Sequence, residues 1–315
     1  MAMKDRYARE IINGFPYPIA AMFVKLRTDE CLDPGPNRLR YLLSTGEAIT
    51  RFLGVVNLCQ ARDFAESTNR PPPLSLHADF KQRFERIAWG TWLHLGRESL
   101  RWLLAEQATL LMPELGPFFF DPPPTDSAAV KALGELLALR NGLSHDKLKA
   151  THAHEFKALC ERAQTHLETA LEALEFLLDY DLTFISKIDV FKYRRRDPHF
   201  LHLLKKLIGN SDDFEGDRND QTFPLDSHAV ILRHRDSGRS LNLDPLLVYE
   251  TAAGKAADLF FYNGMKSPDR ADYTACKHGG NFEGGASEQA THLAEELTNL
   301  LTLFGDATLA PPALV

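Results

Sequence analysis

Residues 151–191 read THAHEFKALCERAQTHLETALEALEFLLDYDLTFISKIDVF, and the change of pattern inside that stretch decides the fold class. Up to Asp179 the apolar residues Phe156, Leu159, Leu167, Leu171, Leu174, Leu177 and Leu178 recur at helical spacing. The segment is rich in alanine and holds no Pro or Gly, which predicts one long helix over 151–179. From Leu182 the run LTFISKIDVF is β-branched and aromatic, the composition of a strand. A boundary therefore falls near residue 180.

Toward the N-terminus the pattern stays helical. A short helix is expected at 5–12, ended by Asn13-Gly14 and the Pro16/Pro18 pair, followed by an apolar stretch of open type at 19–26. Leu39, Leu42, Leu43, Ile49, Phe52, Leu53, Val56 and Leu58 predict a helix over about 37–64, which Pro71-Pro72-Pro73 separates from a charged segment at 79–86. Residues 89–111 form the next apolar helix face, and Trp89, Trp92 and Trp102 read there as core. The segment PELGPFFFDPPPTD (113–126) carries five prolines and reads as a loop, with Phe118, Phe119 and Phe120 as a core plug or oligomer contact rather than a ligand platform. A further helix is expected over 126–145.

Toward the C-terminus, HAVILRH, NLDPLLVYE, DLFFYNG and YTACKHG are short strand-like runs between turn residues. Residues 199–208 suit helix or strand, 210–224 are acidic and polar and read as a mobile loop, and the glycine pairs around 281–283 read as a flexible loop. Leu293, Leu297, Leu300, Leu301 and Phe304 form the apolar face of a closing helix over 287–304. The expected class is α+β: a helical domain over 1–180, then a smaller β-rich accessory domain over 181–315 with a terminal helix.

The chain has 315 residues, 44% of them hydrophobic, and a net charge of -7. That is ordinary globular composition and excludes a protein coated in positive charge for binding polyanions. Net charge averages over faces, however. Residues 1–180 carry 21 basic and 23 acidic side chains and the remainder 15 and 20, so most of the deficit lies beyond residue 180. Cys31, Cys59, Cys160 and Cys276 lack the spacing of a zinc or redox motif and read as reduced, buried thiols. The first residues lack the apolar core of a signal peptide, and no uncharged apolar run approaches the roughly 20 residues of a membrane span. A cytoplasmic protein without membrane contact is the expectation.

Chemistry concentrates in LLALRNGLSHDKL (136–148). An apolar helix face runs into Arg140, Asn141 and Gly142, and His145 follows. Asn141 and His145 would share a face if the helix continued. Arg140 would then lie about 140° away around the axis, so its long stem or a relaxation at Gly142 must close the gap. His145, with an ordinary imidazole pKa near 6.5, suits proton transfer at neutral pH. Arg140 offers a fork of donors to phosphate oxygens, and Asn141 can orient the His or bond the phosphate.

An apolar helix, then RNGLSH, then a long helix resembles the HEPN superfamily (higher eukaryotes and prokaryotes nucleotide-binding domains). The likeness covers roughly residues 37–180 and leaves out the β-rich part. It implies an all-α bundle and a metal-independent endoribonuclease without cofactor, acting on RNA as a toxin-like or antiviral defence effector. Arg140 and His145 would be catalytic, with Asn141 in support. It also implies a homodimer whose two motifs meet in one cleft, so that one His per chain supplies both an acid and a base. Non-catalytic relatives make the alternative a nucleotide-binding or protein-interaction module. A regulatory or defence-system partner protein is a further implication. Where toxins of the family are silenced by nucleotide attachment, a Tyr lies two residues after the His; Lys147 stands there in this chain, so that form of control is not expected.

One other segment bears on RNA. Lys192-Tyr193-Arg194-Arg195-Arg196 is the basic cluster of the chain, and in an extended strand Lys192, Arg194 and Arg196 would share a face as a phosphate-tracking stripe, or else form a solvated strand edge. His152, His154 and Glu155 lack the further ligands of a metal site and read as the surface of an early helix turn.

Overall fold

Proline and glycine set the helix starts. The structure, a computed structural model, describes residues 5–143, 153–211, 213–251, 257–267, 270–277, 281–283 and 288–305. Helix α1 (Asp5–Gly14) is followed by α2 (Tyr17–Phe23), in which Pro16 and Pro18 sit at the start, where no intrahelical N–H is missed. Helix α3 (Pro36–Thr68) also begins on a proline. It stops at Asn69, which takes the left-handed conformation (φ 58°) that Asn tolerates.

Every side chain from Phe52 to Arg62 is buried, so α3 is surrounded on all sides rather than on one stripe. Around it lie α4 (Leu74–Arg83), α5 (Trp89–Ala105), the short α6 (Leu115–Phe119), α7 (Ala128–Gly142) and α8 (Ala153–Glu172). Glycine lets α3 and α5 touch. A Cβ on Gly96 would stand 2.8 Å from the Cα of Gly54, and one on Gly54 would stand 2.9 Å from the Trp92 carbonyl oxygen, so neither position has room for a side chain.

Strands follow from Tyr180. An antiparallel sheet contains β1 (Tyr180–Phe191), β2 (His199–Lys206), β3 (Gly216–Gln221), β4 (Val230–His234) and β5 (Ser240–Asn242), in the order β3-β2-β1-β4-β5. Alternation along β1 and β4 sends Tyr180, Leu182, Phe184, Val230 and Leu232 into the main apolar core. Ile185, Leu204, Ala229 and Ile231 form a small second core on the opposite side. A four-stranded meander follows: β6 (Leu247–Thr251), β7 (Ala257–Ser267), β8 (Arg270–Ala275) and β9 (Asn281–Glu283). The last helix, α9 (Glu288–Gly305), returns to the helical side and packs on α4.

An aromatic column joins these parts. Phe304 of α9 stacks on Phe80 of α4 with ring centres 5.1 Å apart, Phe80 on Phe84 at 4.1 Å, and Phe84 on Tyr262 of β7 at 4.4 Å. Beside it, Gly264 of β7 (φ 140°) presses on the turn at Phe84–Arg86, where a Cβ would come within 2.4 Å of the Glu85 carbonyl oxygen. The main core is accordingly one cluster of buried apolar residues running through both the helices and the sheets.

Helices first, strands after residue 180 and a helix last agree with the expected α+β class. Several local expectations change. The helix expected over 151–179 is α8, ending at Glu172, with a separate 3-10 turn at Glu175–Asp179. The segment at 79–86 belongs to α4 and the turn after it. The proline-rich segment holds α6, because Pro117 falls within its first turn, where proline is tolerated. Of residues 199–208, His199–Lys206 form β2, since Phe200, His202 and Leu204 alternate against β1. The polar segment at 210–224 contains β3, whose edge position lets it carry Asp217, Arg218 and Asp220 without burying them. The expected loop at 281–283 is β9. Phe118, Phe119 and Phe120 are buried within the chain, as a core plug requires, and so are Trp89, Trp92 and Trp102.

Candidate functional site at the end of helix α7

Ser127 starts α7 by accepting a hydrogen bond from the Val130 N–H at 3.2 Å, while its own hydroxyl donates to the Phe118 carbonyl. Val130, Leu133, Leu136 and Leu139 then bury one face against the bundle. Arg140 and Asn141 follow the last buried leucine and are exposed. The helix ends at Gly142, and Leu143 has left helical geometry (φ −95°, ψ 82°), with its N–H on the Leu139 and Arg140 carbonyls. The helix expected over 126–145 thus stops at Gly142 within the described residues.

The structure brings Arg140 and Asn141 together: Arg140 Nη1 donates to Asn141 Oδ1 at 3.4 Å. Arg140 makes no ion pair among the described residues. Its position in the final turn places a positive charge against the negative end of the helix. On the neighbouring α8, Arg162 pairs with Glu135 of α7, holding the two helices together one turn or more behind the candidate pair. His145 lies outside the described residues, as do Ser144, Asp146, Lys147 and His152. Among the described residues, no group of three or more His, Cys, Asp or Glu is placed to hold a metal.

Lys192, Arg194 and Arg196 are not on a strand face. They lie in the loop between β1 and β2, which turns with the Arg196 N–H on the Tyr193 carbonyl at 3.2 Å. The expected stripe is thus a hairpin tip, because β1 stops at Phe191 and Pro198 precedes β2.

A second polar constellation has no signal in the sequence. Arg62, with its side chain only 8% exposed, reaches from α3 to the sheet side. It donates to the carbonyls of Asn242 (2.9 Å) and Asp244 and to Asp63 Oδ1 (3.0 Å). Asp244 is buried beside it, and its Oδ1 accepts from the Val230 N–H at 3.3 Å. Burial pushes the Asp244 carboxyl up to about 8, with the Val230 hydrogen bond and the Arg62 charge opposing that rise. The partners are about 180 residues apart in sequence, so neither spacing nor composition announces them. This cluster ties α3 to the strands. Cys59, next to it, is likewise buried and its thiol is pushed up to about 12 by desolvation, which excludes it as a nucleophile.

A hollow of about 400 Å³ opens nearby, lined by Gln60, Asp63, Ser67, Gln107 and Arg239. Arg239 is already engaged there, donating to the Leu110 carbonyl at 3.1 Å. No helix among the described residues is long and apolar enough to cross a membrane. Compared with protein-family models, with curated proteins and with solved structures, the chain matches none.

Proposed function

We propose that this protein is a metal-independent endoribonuclease of HEPN type, with Arg140 and His145 as the catalytic pair and Asn141 in support. The observation that carries the reading is RNGLSH at a helix junction, with Arg140 and Asn141 exposed and adjacent on the last turn of α7. A guanidinium that the fold leaves without an ion pair among the described residues is available to a phosphate.

In this reading the ribose 2′-OH attacks the adjacent phosphorus and the 5′ oxygen leaves. One imidazole takes the 2′ proton and another protonates the departing oxygen, so the proton count balances without a metal. Arg140 stabilises the added negative charge on the phosphoryl oxygens. A single His145 per chain cannot be base and acid at once, so two chains contribute to one cleft. The product is a 2′,3′-cyclic phosphate and a 5′-OH. A toxin-like or antiviral role in a cytoplasmic setting, restrained by a partner protein, is the setting that the family resemblance suggests.

The test is cleavage of labelled RNA by the purified chain in the presence of EDTA, with His145→Ala and Arg140→Ala beside it. Cleavage that yields cyclic phosphate ends and disappears in both variants is the expected result. Equal cleavage by His145→Ala sinks the reading. An intact fold with no cleavage under any condition favours the interaction-module alternative, in which Arg140 serves the helix end alone.

A further inference from the structure

We infer that the tip of the β1–β2 hairpin is a binding platform for single-stranded RNA, with cations that follow the backbone and exposed rings on which bases stack. The choice of RNA rests on the ribonuclease reading above; the geometry of the platform does not.

Three observations converge on this end of the sheet. The first is charge. Lys192, Arg194, Arg195 and Arg196 occupy four of five successive positions, all exposed, and none forms an ion pair among the described residues. Other arginines are paired with carboxylates, as in Arg70–Glu106, Arg97–Asp126 and Arg235–Asp181. Four cations concentrated on one tight turn, in a chain of net charge -7, form a local positive field that a phosphate backbone complements.

The second is aromatic exposure. Tyr193 is 56% exposed, Phe223 54% and Phe191 36%, whereas most other large aromatic side chains in the described residues are buried. A sheet edge gains nothing for its own stability by presenting such rings to water. Phe191 is the register partner of His199 and stacks on it, with ring centres 4.9 Å apart and planes 20° from parallel. His199 is in turn held by Asp220 of β3 at 2.8 Å. The stack is therefore fixed in place before any ligand arrives.

The third is a cavity. A hollow of about 760 Å³ is lined by His199 and the Asp220 that holds it, by Phe223, and by Arg233 and Arg239, the latter also donating to the Leu110 carbonyl. The Nε of Arg233 is buried without a hydrogen-bond partner among the described residues. The Phe191–His199 stack thus closes the base of the exposed basic turn, and His199 with Phe223 lines the hollow. That arrangement takes a single strand, whose bases are free to stack, better than a duplex, whose bases are already stacked.

The experiment is fluorescence anisotropy of a labelled 20-nucleotide RNA with the full chain. Arg140→Ala is present throughout so that binding is read without cleavage. Combined Lys192→Glu, Arg194→Glu and Arg196→Glu should weaken binding at least 30-fold and lower the slope of log affinity against log salt by about 2, as loss of three phosphate contacts requires. Tyr193→Ala and Phe223→Ala should each weaken the single strand by about 10-fold while barely changing a duplex of the same length. All these positions are exposed, so thermal unfolding of the variants should match that of the parent.

Unchanged affinity in the charge-reversed chain overturns the inference. So does a duplex bound as tightly as the single strand, or binding to vesicles with anionic lipid and not to RNA. If cleavage depends on Arg140 but the hairpin variants bind normally, the platform fails and the ribonuclease reading stands. If no cleavage occurs but the hairpin variants lose the RNA, the platform stands and the ribonuclease reading fails.

Discussion

Two arginines of this protein sit in opposite circumstances. Arg62 is buried, and its guanidinium is consumed by the Asn242 and Asp244 carbonyls and Asp63. Arg140 is exposed at the end of α7, with one long hydrogen bond among the described residues, to its neighbour Asn141. The first charge is spent on joining a helix to the strands. The second faces the negative end of its own helix and makes no ion pair among the described residues. An exposed guanidinium without an ion pair among the described residues is the better candidate for a ligand, and the ribonuclease proposal uses Arg140 in that way.

The comparison breaks most easily at Arg62. Arg62→Ala would leave two buried carbonyls and Asp63 without their donor, at a cost of about 3–5 kcal/mol. Urea unfolding measures this, and a loss below about 1 kcal/mol would mean that the junction is held by packing instead. Arg140→Ala should leave stability within about 0.5 kcal/mol of the native chain, as for other exposed sites. On the ribonuclease reading it lowers cleavage about 10²- to 10³-fold, the usual effect of removing one donor to a charged transition state. Destabilisation by Arg140→Ala comparable to that of Arg62→Ala would erase the distinction.

A pH-dependent effect sharpens the buried side of the contrast. The Asp244 carboxyl is raised to about 8 in the folded chain, against about 3.9 when unfolded. Between those values the folded state holds a proton that the unfolded state releases, so stability falls as pH rises from about 4 to about 8. Asp244→Asn removes that titration and keeps an oxygen for the Val230 N–H. Its stability relative to the native chain should therefore climb across the same window, and a difference that is flat in pH would contradict the assignment.

The smallest effect concerns the exposed side. Gly142 is the last residue of α7, and a Cβ there meets nothing within 4 Å. Gly142→Ala should raise stability by about 0.4–1 kcal/mol, visible as a higher melting temperature. A fall would show that the junction needs the freedom of glycine in order to turn toward His145.

Much of the helical part was legible because its signals are local. The leucine spacing of α7, the proline at the start of α3 and the triple proline after it act within a few residues of where they stand. Edge strands were harder. Gly216–Gln221 carries almost no apolar side chains, and it is a strand only because β2 offers it a ladder of hydrogen bonds. The central helix α3 also exceeds what its pattern suggested. Its polar residues Asn57, Gln60 and Arg62 are buried because neighbours close over them from every side. At the candidate site the residue types and their order were readable, but the stopping point of α7 was not, since Gly142 continues the helix for one residue before Leu143 leaves it.

The sequence by itself determined the class of the fold and the place where helices yield to strands, and it placed Arg140 and Asn141 at the end of a helix. Each of these depends on side-chain periodicity or on neighbours along the chain. Only the tertiary structure decided that one apolar core runs through helices and sheets, that Arg62 is locked to residues about 180 positions away, and that the basic run at 192–196 is a hairpin tip beside exposed rings. Those facts arise from contacts between distant segments, and the energy of such contacts depends on which surfaces the whole chain brings together.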